Sequence, residues 1–209
     1  MIGFFGGSFD PIHLGHLNNA RQLKQQLELS QLFLMPCGAP VHKDSLKFSS
    51  KQRLEMLELA VQEFPELSID TREIDSEADS YTIDSLKQIK KQYPQQSIAL
   101  IIGMDSFNQL SSWKKYQQLS QFCHLIVLGR PGQTKSDNTY GFELTNNKTR
   151  LSQKTTGLLY FAQTDLHNIS SSDIRGILFD DTAGGKIRAK QNLDGLLPAS
   201  VINYLRKDI

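Results

Sequence analysis

Short apolar runs alternate along this chain with stretches whose apolar residues recur every three or four positions. Ile2–Phe5 reads as a strand, and Leu14–Leu29 follows with apolar residues at 14, 17, 20, 23 and 27, the spacing of one helix face. Leu32–Met35 is a second strand, stopped by Pro36. Ser49 or Ser50 caps a helix that runs to Phe64, with Leu54, Leu57, Val61 and Phe64 on one side. A third strand is expected within Leu67–Ile74. A helix over Thr82–Tyr93 has Ile83, Leu86 and Ile89 inward and is closed by Pro94. Ser97–Ile102 is apolar on both faces, as a buried parallel strand should be. A helical stretch around Trp113–Phe122 leads to a strand at Leu125–Leu128, and Leu158–Phe161 is the sixth. Residues 131–156 are polar and read as a long loop or partly helical insertion, and 180–192 as a second insertion. The last helix is Pro198–Lys207, with proline where helix geometry prefers it.

Strands alternating with helices imply right-handed βαβ units. The expected fold is α/β: a Rossmann-like open parallel sheet of five to six strands, helices on both faces and a small C-terminal helical tail. One domain over 1–209 is expected, with an α/β core at 1–165 and a helical part at 166–209. The chain has 209 residues, 39% hydrophobic and 22% charged, enough apolar surface to exclude disorder. Its net charge is +1, from 23 Lys+Arg against 22 Asp+Glu. That argues against binding long nucleic acid, but leaves room for a small phosphate ligand. The apolar runs fall far short of the ~20 residues that span a membrane. Met1 leads straight into Ile-Gly-Phe-Phe, which argues against a signal peptide. Cys37 and Cys123 are too few for a disulfide framework, so a cytoplasmic location is expected.

Ligands of open parallel sheets bind at the carboxyl ends of the strands. The first such turn is Gly6-Gly7-Ser8-Phe9-Asp10-Pro11-Ile12-His13-Leu14-Gly15-His16. Gly6 and Gly7 let backbone N–H groups approach a phosphate. The start of the next helix favours an anion, and His13 and His16 set two imidazoles beside it. The turn has neither the Gly-x-Gly-x-x-Gly of a dinucleotide fingerprint nor the Gly-Lys-Ser/Thr of a Walker loop. A zinc pair at His13 and His16 has only His42 in view as a further ligand, so no metal site is assigned. Far along the chain, Ile169-Ser170-Ser171-Ser172-Asp173-Ile174-Arg175 puts three hydroxyls before a helix, where they can cap it or hold phosphate oxygens. Arg175 can fork onto a phosphate. Arg53 reads as a solvated helix charge, or as one that reaches a phosphate. His124 and His167 read as structural.

The string ending His13-Leu14-Gly15-His16 resembles the signature of the nucleotidyltransferase superfamily, and residues 169–175 resemble its C-terminal Ile-Ser-Ser-Thr-x-Ile-Arg signature, with Ser172 in place of threonine. Four segments between them are similar to bacterial nicotinate-nucleotide adenylyltransferases. These are Pro36 to Lys43, with Val41 before His42; Ser80-Tyr81-Thr82 through Leu86; Gly103-Met104-Asp105-Ser106 with Trp113; and Arg130-Pro131-Gly132. The resemblance runs from residue 3 to about 175, and weakly to the C-terminus.

It implies a single nucleotidyltransferase domain that joins ATP to nicotinate mononucleotide, giving nicotinate adenine dinucleotide and pyrophosphate. His13, His16, Lys43 and Arg175 would be catalytic. Gly6, Gly7, Ser8, Phe9, His13, His16, Gly103, Asp105, Ile169, Ser170, Ser171, Ser172 and Arg175 would bind ATP, with Asp105 on the ribose. Ser8, Lys43, Tyr81, Thr82 and Trp113 would bind the second substrate, Trp113 by stacking on the ring. Mg²⁺ would come with ATP, without dedicated protein ligands. The partners would be these small molecules, with no nucleic acid or membrane, in a monomer or small homo-oligomer. Two rival readings stand: a related adenylyl- or cytidylyltransferase such as pantetheine-phosphate adenylyltransferase, and a nucleotide-binding module without chemistry.

Overall fold

The computed structural model describes residues 1–38, 46–76, 80–129, 137–164, 169–179 and 192–207. Its strands are β1 (Ile2–Gly7), β2 (Gln31–Pro36), β3 (Ser68–Ile69), β4 (Ile98–Gly103), β5 (His124–Leu128), β6 (Glu143–Leu144) and β7 (Leu158–Ala162). The helices are α1 (Leu14–Gln26), α2 (Ser50–Glu63), α3 (Thr82–Gln92), α4 (Met104–Asn108), α5 (Thr149–Gln153), α6 (Ser171–Leu178) and α7 (Ala199–Lys207). All strands are parallel, in the order β3-β2-β1-β4-β5-β7-β6. The winding reverses between β1 and β4, which opens a crevice beyond their carboxyl ends.

Every residue of β5 and Ile98–Ile102 of β4 is buried, which explains runs apolar on both faces. Two separate apolar clusters cover the sheet. One gathers Leu17, Leu23, Met56, Leu57, Ile174 and Val201 from α1, α2, α6 and α7. The other gathers Ile83, Leu86, Ile89 and Phe107 from α3 and α4. Ser49 caps α2 in a capping box with Gln52. His124 is fully buried and structural: its Nδ1 accepts from Leu158 N at 3.1 Å and its Nε2 lies 2.8 Å from the Lys154 carbonyl.

Several expectations change. The sheet has seven strands rather than five to six. The extra one, β6, is a two-residue edge with both residues exposed, too short to show a period. The third strand shrinks from Leu67–Ile74 to Ser68–Ile69, because Asp70 turns back to take a bidentate contact from Arg72 at 2.7 Å. The first helix ends at Gln26, since Glu28 is left-handed at φ 51°. The stretch around Trp113–Phe122 is not one helix. It comprises 3₁₀ turns at Leu110–Ser112 and Tyr116–Gln121, split at Lys115, whose φ is 52°. Helix α4, which precedes them, is too short to have an amphipathic signature.

Candidate active site

The turn after β1 is built by its own side chains. His13 is extended at φ −147° and caps α1, its Nδ1 accepting from His16 N at 3.2 Å. A neutral His13 therefore carries its proton on Nε2, as a donor. The His13 and His16 rings stack at 3.6 Å between centroids. Phe9 is held at φ 45°, a backbone region costly for a residue with a side chain. That conformation drives its ring into the core, edge-on to His16 at 5.1 Å and to Phe5 at 5.8 Å. Phe9 can thus offer a nucleotide only its backbone, while its ring fixes His16 from below.

The two distant signatures meet here. Ser171 Oγ donates to the Pro11 carbonyl at 3.1 Å, and Arg175 donates to the Asp10 carbonyl at 2.7 Å. A Cβ on Gly15 would stand 2.9 Å from His13 Nδ1 and 3.4 Å from Ile169 Cβ. Glycine at 15 is therefore what lets the second motif press on the first. Ser170 caps α6, accepting from Asp173 N at 3.1 Å, and Ser172 Oγ accepts from Arg175 at 3.1 Å. Arg175 also lies 3.6 Å from the Asp10 carboxylate. Asp10 is itself buried, accepting from Lys47 N and Phe48 N.

Arg53 is neither a solvated charge nor free to reach a phosphate. It is fully buried and donates to the carbonyls of Ser8, Cys37 and Gly38 at 2.8, 2.8 and 3.1 Å. The chains leaving β1 and β2 run past the end of the strand pairing, so their carbonyls need a donor. A guanidinium supplies several in one plane. The capped helix start at Ser49 hides this role, since a basic residue in the first turn of an amphipathic helix reads as surface.

Beside the β1 turn lies a cavity of about 190 Å³. Ser8, Tyr81, Thr82 and Trp113, all expected around the second substrate, line it together with Gly6 and Gly7. So do Glu73, Ser80 and Lys114, which the sequence reading assigns no role there. Glu73 is 6% exposed and accepts from Ser85 Oγ at 2.7 Å. Burial pushes its carboxyl above the usual range, with Ser85 opposing the shift. Its only sequence signal is a charged Asp-Thr-Arg-Glu run where a strand was expected. Lys114 sets its ammonium 3.7 Å from the centre of the Tyr81 ring.

His13, His16 and residues 169–175 do not line this cavity, and Ile169 and Ile174 pack with Leu17 of α1 in the other apolar cluster. Asp105 lies in the first turn of α4, past Gly103 at the end of β4, and is exposed. Lys43, His42, Arg130 and His167 lie outside the described residues. Among the described residues, no three His, Cys, Asp or Glu side chains gather to hold a metal ion, and no helix is long and apolar enough to cross a membrane.

A family model described as cytidylyltransferase-like matches residues 4–177. A relative from Vesicomyosocius okutanii subsp. Calyptogena okutanii, described as "Probable nicotinate-nucleotide adenylyltransferase", is 55% identical over 98% of this chain and 93% of its own length. The chain belongs to the nicotinate-nucleotide adenylyltransferase family. Another such adenylyltransferase, from Psychromonas ingrahamii, is 40% identical over 99% of this chain and 94% of its own. The nicotinic acid mononucleotide adenylyltransferase of Plasmodium falciparum, solved with NaAD, superposes with a TM-score of 0.70 at 19% identity. That alignment covers 98% of this chain and 93% of the other.

Proposed function

We propose that this chain transfers the adenylyl group of ATP to nicotinate mononucleotide, releasing pyrophosphate and forming the dinucleotide used in NAD biosynthesis. The observation that carries the reading is one shared turn. Gly6, Gly7 and Ser8 wall the Trp113 cavity, and the same turn ends at His13, where residues 169–175 clasp it. A nucleotide triphosphate on the histidine side and a ring in the cavity would meet at that turn.

The mononucleotide phosphate attacks the α-phosphorus in line. A new P–O bond forms there, and the bond to the bridging α–β oxygen breaks with pyrophosphate leaving. The attacking phosphate is already an anion, so no strong general base is required. Alignment and charge stabilisation carry the rate. His13 Nε2 and His16 would donate to α- and β-phosphate oxygens as charge grows. Ser172 and the remaining N–H groups of Arg175 would hold the leaving pyrophosphate, with Ser170 and Ser171 shaping the turn. Lys43 would bridge the two substrates, and Asp105 would accept from the ATP ribose beside Gly103. Tyr81, Thr82 and Trp113 would enclose the nicotinate ring.

The donor set of imidazoles, hydroxyls and amides suits phosphate oxygens better than a hard cation. Asp10, the acid beside them, is engaged with Lys47 N, Phe48 N and Arg175. The residues therefore fit a Mg²⁺ that travels on the nucleotide, ligated by phosphates and water. When bound it supplies charge neutralisation to the phosphates. We place the chain in a reducing cytoplasm, the compartment that a sequence with only two cysteines, Cys37 and Cys123, suits.

The test is pyrophosphate release from ATP with nicotinate mononucleotide, nicotinamide mononucleotide or pantetheine phosphate, and from CTP as alternative donor. We expect nicotinate mononucleotide with ATP to give the highest kcat/KM. Equal rates with the acid and the amide, or turnover only with another acceptor, would overturn the assignment. Tight ATP binding without pyrophosphate release would identify a binding module instead.

A further inference from the structure

The nicotinate and nicotinamide mononucleotides differ in one group, a carboxylate against a carboxamide. The cavity that would receive that group has a carboxyl in its own wall, Glu73. Burial favours the neutral form of Glu73, yet even a neutral carboxyl offers no charge to attract an acid. Hydroxyls and backbone N–H groups also pair tolerably with an amide oxygen. A cavity of this composition needs a cation to prefer the acid strongly.

One is present. Lys114 follows Trp113 directly and lines the same cavity as Tyr81 and Thr82. Its ammonium lies 3.7 Å from the centroid of the Tyr81 ring, against the aromatic wall. Its carboxylate neighbour is Asp84 in the first turn of α3, at 3.8 Å. Asp84 is shared with Lys87, at 3.7 Å. Both distances exceed a direct hydrogen bond. Two lysines thus share one carboxylate, and of the three only Lys114 lines the cavity. Neither ammonium is held so firmly that an entering anion could not recruit it. The Lys114 side chain is 44% exposed, and a bound ring would exclude the water that screens it.

We propose that Lys114 is the residue that makes this cavity select a carboxylate-bearing ring over its amide. Its ammonium swings from Asp84 to pair with the substrate carboxylate while Trp113 and Tyr81 hold the ring. The inference rests on the reading of the cavity as the nicotinate site.

The test compares kcat/KM for the two mononucleotides in the parent and in Lys114→Met, Lys114→Arg and Asp84→Asn. In Lys114→Met the acid-to-amide ratio should fall roughly tenfold, the worth of one charge-assisted hydrogen bond. The change should sit in KM for the acid, with KM for ATP unmoved. Lys114→Arg should restore most of the ratio. Asp84→Asn, which removes the competitor, should lower KM for the acid. A ratio within twofold of the parent in folded Lys114→Met would overturn the proposal.

Should that variant fail to fold, the parent itself decides. KM for the acid should rise with added salt more steeply than KM for the amide, and equal salt dependence would overturn it. A parent that uses neither mononucleotide would bring down the functional reading as well, an outcome distinct from an unchanged ratio.

Discussion

Two side chains show how differently single residues serve this site. His16 stacks on His13 and rests on the Phe9 ring, so its imidazole is positioned before any ligand arrives. A preorganised donor of this kind is worth most in the transition state. His16→Ala should lower kcat by ~10²–10³ with little change in either KM. Steady-state kinetics check this, and activity within a few-fold of the parent would remove His16 from the chemistry. Arg53 acts on the frame instead. Replacing it with methionine keeps much of the volume but leaves the carbonyls of Ser8, Cys37 and Gly38 without their buried donor. Each such loss costs roughly 1–3 kcal/mol. We expect Arg53→Met to cost about 3 kcal/mol or more, measured as a shift of the urea midpoint. An unchanged midpoint would mean that the loops satisfy themselves.

At the scale of elements, His124 ties three pieces of the sheet's far half. It opens β5, accepts from the first residue of β7 and reaches the Lys154 carbonyl after α5. Burial lowers its proton affinity, as the first of several causes. The folded chain therefore keeps the imidazole neutral while the unfolded chain takes up a proton near its ordinary value of 6.5. The unfolded state then binds more protons, so this contribution to stability is complete above about pH 6.5 and is lost as the pH falls. Thermal melts from about pH 8 to about pH 5 should show the parent losing stability faster than His124→Asn over that window. Parallel curves would exclude His124 as the source. His124→Ala should in addition cost about 1–3 kcal/mol at about pH 8, because Leu158 N loses its acceptor inside the sheet.

The whole molecule explains why the two proposed substrates are separable. β1 stands beside the reversal of the winding, and its turn both lines the Trp113 cavity and meets residues 171 and 175. The side built on α1 and α6 rests on one apolar cluster, and the side that holds α3 and Trp113 rests on the other. Trp113 packs with the second cluster only. Trp113→Ala should accordingly raise KM for both mononucleotides by a similar factor, with the acid-to-amide ratio kept and KM for ATP within about twofold. Stacking is blind to the ring substituent, and a base–aromatic stack is worth roughly 1–3 kcal/mol. The expected rise is about ten- to hundredfold. An equal rise in KM for ATP would place Trp113 in a shared frame rather than against one substrate.

The sequence alone determined what depends on local order. The parallel sheet was legible because buried strands such as Ile98–Gly103 are apolar on both faces, and helices such as Thr82–Gln92 carry a clean 3.6-residue stripe. The histidine turn and the Ser170–Arg175 segment were legible because glycine, imidazole and hydroxyl residues in that order serve no ordinary turn. What the tertiary structure decided lies in contacts between residues far apart in the chain. Ser171 meets Pro11 and Arg175 meets Asp10, 160 and 165 positions away. Arg53 looks like a surface charge until the ends of β1 and β2 close over it. Glu73 looks like strand or loop until Gly38 comes so near that a Cβ there would stand 2.6 Å from the Glu73 carbonyl. Lys114 is one of two adjacent lysines, and only the tertiary structure shows that it is the one set over Tyr81, the residue that opens α3. Periodicity reports which face of an element is buried, but only packing decides which distant group it is buried against.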